Sequence, residues 1–112
     1  MDLHLRSRYG DDFVIEIKYV PLPSTEDDNN EAKIKEINKL MEEARDKAFE
    51  QIERKRDYFC FQGNGNKIYK TSLIFGGRSE IFIDFQEARN WQLEWDDDLC
   101  AYSVKKNYSD DA

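Results

Sequence analysis

Glu16 and Lys18 stand two residues apart in Phe13-Val14-Ile15-Glu16-Ile17-Lys18-Tyr19-Val20, a stretch otherwise built from β-branched and aromatic residues. Read as a strand, it turns Phe13, Ile15, Ile17 and Tyr19 one way and Val14, Glu16, Lys18 and Val20 the other. The two charges then sit roughly 7 Å apart on an otherwise apolar face. A second carboxylate, Asp2, can be brought alongside them by a neighbouring strand. That combination suits metal-assisted cleavage of a phosphodiester. Asp2 and Glu16 offer hard oxygen ligands for Mg²⁺ or Mn²⁺, the Ile17 carbonyl a third, and water the rest. A cation so held lowers the pKa of a bound water and offsets charge on the phosphate. Lys18 orients that water and neutralises developing charge. The same spacing also fits a cross-strand salt-bridge face on a solvated sheet, with no chemistry attached.

The elements that must position these groups can be read along the chain. Residues 2–7 alternate as a strand, and Arg8-Tyr9-Gly10-Asp11-Asp12 reads as a turn leading into 13–20. An odd-length loop centred near Tyr9 or Gly10 makes opposite residues sum to 18 or 20, so Asp2 faces Glu16 or Lys18. Asp2, His4, Glu16 and Lys18 then share one face, and a one-residue slip destroys the grouping. Proline at 21 and 23 ends the strand. Residues 26–30 form a solvated loop with Asn30 as an N-cap. A helix is predicted from about Glu31 to Asp57, with Ile34, Ile37, Leu40, Met41, Ala44, Ala48 and Ile52 as its apolar stripe. Gln51 lies at the edge of that stripe beside small residues, which leaves room for another backbone or a substrate. After a loop at 62–66, residues 67–75 form a strand parallel to 13–20, with a right-handed crossover through the helix. A fourth strand spans 80–85. Residues 91–95 and 99–104 close as a hairpin around Asp96-Asp97-Asp98, a run that lacks the spacing of a calcium loop and reads as a solvated turn.

At Asp2-Leu3-His4-Leu5, Glu16-Ile17-Lys18 and Ala48-Phe49-Glu50-Gln51-Ile52 the chain resembles the PD-(D/E)xK nuclease superfamily. It is most similar to the branch at the C-terminus of bacterial proteins that carry an AAA-type ATPase-like domain. The resemblance covers Asp2 to about Phe75. It implies an α/β fold: a mixed sheet with a long crossover helix, a restriction-endonuclease-like core lacking its first helix, since neither that helix nor the usual extra strand precedes Asp2. It also implies metal ligands at Asp2 and Glu16, an essential Lys18, and a helical Gln51 that orients the lysine or the substrate. DNA is the implied substrate, RNA the alternative, and an upstream ATPase-like domain the implied partner. The rival is a non-catalytic interaction module on the same scaffold.

Length and composition bound these readings. The 112 residues suffice for a single domain, expected over 1–104 with a frayed tail at 105–112. The abrupt alternating start suggests a fragment of a longer protein, expected to be inactive alone or to recover its missing sheet edges by homodimerising. A net charge of −7 counts against a general nucleic-acid surface, and Lys67, Lys70, Lys105 and Lys106 read as scattered solubilising charges. No apolar run approaches the roughly 20 residues of a membrane span. Cys60 and Cys100 lack metal spacing and are expected to be free, partly buried thiols in a reducing cytoplasm. His4 is expected to be structural.

Overall fold

The central strand forms because its residues suit a pleated surface, and every neighbour is registered on it. The structure is a computed structural model and describes residues 2–6, 10–22, 31–63, 65–77 and 79–105. Its elements are β1 (Asp2–Arg6), β2 (Asp12–Val20), α1 (Glu31–Arg54), a 3₁₀ turn at Arg56–Tyr58, β3 (Cys60–Phe61), β4 (Ile68–Gly76), β5 (Glu80–Glu87), β6 (Leu93–Asp96) and β7 (Ala101–Val104). A mixed four-stranded sheet has the order β1-β2-β4-β5. β2 and β4 run parallel, joined through α1, and β1 and β5 flank them antiparallel. A smaller antiparallel sheet, β3-β7-β6, packs beyond the end of the helix.

α1 covers the face of the large sheet that carries Val14, Glu16 and Ile74. Two apolar clusters hold it there. One joins Met41, Ala44 and Ala48 to Ile74. The other joins Phe49 and Ile52 to Val14, Ile68, Phe61 and Val104, and so ties the small sheet to the large one. Ala44 and Ala48 have the smallest side chains that still bury a methyl, which lets the helix approach the strands closely. Gly76 has a similar use: a Cβ there would stand 2.9 Å from both the Leu22 and Met41 side chains.

Some expectations change. The apolar stripe persists from Ile37 to Ile52, but Ile34 is exposed, and the packing of α1 on the sheet begins at Ile37. Phe49, outside that stripe, is buried and widens it. The helix stops at Arg54 rather than near Asp57, because the amide of Lys55 is shared between the carbonyls of Gln51 and Ile52 and the chain tightens into the 3₁₀ turn. Cys60 is half-buried and Cys100 is exposed, and both are free thiols. The Asn30 cap, residues 7–9 of the first turn and residues 106–112 lie outside the described residues. Among the described residues no helix is long and apolar enough to cross a membrane.

Candidate functional site

The β1–β2 pairing sets Asp2 opposite Glu16, His4 opposite Val14 and Arg6 opposite Asp12. Opposite residues of an antiparallel pair share a face, with Cβ atoms roughly 5 Å apart. Asp2 and Glu16 therefore stand side by side, the register in which positions sum to 18. The next pairings extend the same level across the sheet, Glu16 to Ser72 and Ser72 to Asp84. One transverse polar row, Asp2, Glu16, Ser72, Asp84, thus crosses the helix-covered face between the two apolar clusters. Asp84 is two strands from Glu16, near 10 Å away. It lines a cleft of about 200 Å³ with Met41 and Arg45 instead. The Asp2 side chain lies outside the described part of the structure.

Glu16 is 2% exposed. A solvated salt-bridge face does not bury a carboxylate, so that alternative fails at this residue. Two ammonium groups compensate it: Lys18 Nζ lies 3.9 Å from Oε1 and Lys55 Nζ lies 3.7 Å from Oε2. Both separations exceed hydrogen-bond length, so these two pairings are Coulombic. Lys18 comes from the same strand and Lys55 from the residue that follows α1. Gln51 is half-buried one turn before Lys55, and residues four apart share a helix face. Gln51 thus sits near the C-terminal end of α1, the end from which Lys55 reaches Glu16. The Ile17 side chain is half-buried on the opposite face of the sheet, so of Ile17 only the backbone carbonyl is a candidate ligand. Ser72 is fully buried, and its Oγ finds no hydrogen-bond partner among the described residues. Among the described residues no group of three or more His, Cys, Asp or Glu side chains converges on one point.

His4 shares the face but is engaged elsewhere. Its Nε2–H donates to Asp12 Oδ1 at 2.9 Å, and its ring meets Phe61 edge-on at 4.9 Å. Asp12 is 2% exposed and was assigned by the sequence to the preceding turn. The signal for it was its place in the alternation Asp12, Val14, Glu16, Lys18. Lys55 was also missed; a lysine at a helix end ordinarily signals nothing beyond the helix dipole.

Two further groupings bear on charge. Lys70 and Lys105, expected to be scattered, line one cleft of about 760 Å³ together with Arg56, Arg89 and Trp91. Glu53 partly neutralises it, accepting from Lys70 Nζ at 2.6 Å and from the Trp91 indole at 3.2 Å. Hydrogen bonding to Glu87 raises the pKa of the Arg89 guanidinium above its ordinary value. In the Asp96–Asp98 turn, Asp96 Oδ1 accepts the amides of Asp98 and Leu99, and Asp97 accepts from the Trp95 indole. These aspartates build the turn, as a solvated loop requires. Comparison with known proteins returned no match to any family model, curated protein or solved structure.

Proposed function

We propose that this chain hydrolyses phosphodiester bonds with the help of a divalent cation, with DNA as the substrate. The reading is carried by one observation: Asp2 is paired with Glu16 across two strands, and Glu16 is buried between the ammonium groups of Lys18 and Lys55. The donor set fits Mg²⁺ or Mn²⁺, because the carboxylates of Asp2 and Glu16 and the Ile17 carbonyl are hard oxygen ligands with no soft ligand among them. A cation there would supply a water of lowered pKa and charge neutralisation at the phosphate. Lys18 holds the attacking water and offsets charge gathering on the phosphoryl oxygens. Gln51 orients Lys18 or the substrate, and Lys55 places a second cation beside the Glu16 carboxylate. The PD-(D/E)xK pattern in Asp2, Glu16, Lys18 and Gln51 supports the same assignment. The cleft lined by Arg56, Lys70, Arg89 and Lys105 against Glu53 and Glu87 holds an excess of positive charge that a phosphate backbone would follow on an otherwise acidic protein.

A second reading has its own observation. The chain carries a net charge of −7, whereas a self-sufficient DNA binder displays a basic track. A non-catalytic module that keeps this scaffold and pairs with an ATPase-like domain accounts for that charge. Nicking of supercoiled plasmid in Mg²⁺ or Mn²⁺ separates the two. Wild type is expected to nick, and Lys18→Ala and Glu16→Gln are each expected to lose about 100-fold or more. Activity that survives Lys18→Ala contradicts the assigned role, and wild type that neither nicks nor binds metal favours the interaction module.

A further inference from the structure

One face of the large sheet carries α1; the other carries nothing among the described residues. On that second face Leu5, Tyr19, Phe75, Ile81, Ile83 and Phe85 are each between 38% and 67% exposed. Register puts them together: Tyr19 pairs with Phe75, Phe75 with Ile81, and Leu73 with Ile83. Ring contacts bind the same surface, since Phe13 stacks on Tyr69 at 5.3 Å and meets Phe85 edge-on at 6.3 Å. The patch is therefore continuous over all four strands. A contiguous apolar surface of this kind is rare on monomers and marks an interaction site.

We propose that two copies of this chain pair face to face through this surface as a homodimer. The area is sufficient. Strands of five, nine, nine and eight residues, at about 3.3 Å per residue and 4.8 Å between strands, give roughly 500 Å² per copy as a flat projection. The pair would then bury about 1,000 Å² before side-chain relief is added, which reaches the lower bound of a specific interface. The chemistry is self-complementary, as a two-fold interface requires. Among the described side chains of this face the one charged group is Glu87 at the rim, and it is bonded to Arg89. The net charge of −7 therefore lies on other surfaces and does not oppose contact. Two sheets of the same twist pack about 10 Å apart with strands crossing near −30°. The Cα trace is only 20 Å deep along its shortest axis, the depth of one helix on one sheet. A second sheet seated on the apolar face completes a layered core with helices outermost. The inference is independent of the chemistry assigned to Glu16.

Sedimentation velocity on the whole chain over a range of concentrations tests it. Wild type is expected at twice the 13.3 kDa chain mass. Ile83→Glu and the double variant with Phe85→Glu are expected to run at half that apparent mass with unchanged far-ultraviolet circular dichroism. Glu36→Lys, on an exposed part of α1, is expected to remain dimeric. Hydroxyl-radical footprinting supplies a second readout that needs no variant: labelling of Tyr19 and Phe85 falls as protein concentration rises. A wild-type chain that stays monomeric at tens of micromolar with both residues fully labelled overturns the proposal and assigns the face to a different occupant. A dimer that survives the double variant also overturns it.

Discussion

Removing a carboxylate from water costs several kcal/mol unless opposite charge is supplied in the same place. Glu16 meets that requirement through two lysines drawn from different elements. Lys18 was legible because Glu-x-Lys interrupts an apolar strand, where a charge needs a reason. Lys55 was not, because its meaning depends on where the helix ends, a tertiary fact. Asp12 was hidden in the same way, since an Asp-Asp pair after glycine looks like turn chemistry until the alternation is carried one residue further back. The His4–Asp12 contact yields a stability prediction. His4→Ala removes the donor to a buried carboxylate and should destabilise the fold by about 1–3 kcal/mol, read as a lower urea midpoint with an unchanged slope. An unchanged midpoint would show that Asp12 is compensated from elsewhere.

The elements place a polar row between two apolar clusters, so the helix must pass close to the sheet on both sides of Glu16. Ala48, fully buried at that crossing, sets the spacing. Ala48→Leu should cost about 1–3 kcal/mol through overpacking, seen as a lower thermal midpoint, whereas Glu50→Ala, two residues on and exposed to solvent, should change little. Equal midpoints for the two variants would mean that α1 does not rest on the strands as described. The strong elements were readable because period and propensity agree in them: β2, β4, β5 and the body of α1 each have one face for the core. β3 was not readable. It is two residues long, and its only reason to be a strand is β7, some forty residues downstream. The hairpin of β6 and β7 was visible, but nothing local said that it would leave the main sheet and cap the end of α1. Gly10 shows the local limit as well. Its φ of +99° and the 2.9 Å approach a Cβ would make to Asn66 explain a glycine that the sequence marked only as part of a turn.

At the scale of the whole molecule, one helix covers one face of the mixed sheet and leaves exposed apolar side chains on the other. Register gathers exposed apolar side chains of β2, β4 and β5 on the second face, and the one long helix covers only the first. The pairing proposed for the second face would put the two Glu16 levels on the outside of the dimer, each beneath its own α1. The central claim concerns that level: separate strands bring Asp2 and Glu16 together so that they hold one divalent cation. Titration of Mn²⁺ into the purified chain, followed by the electron paramagnetic resonance signal of the free ion, tests it without reference to any substrate. One ion per chain should be taken up by wild type, and Asp2→Asn and Glu16→Gln should each weaken uptake by at least about tenfold, since each removes a ligand charge. Uptake by both variants equal to that of wild type, or none by wild type, would contradict the account.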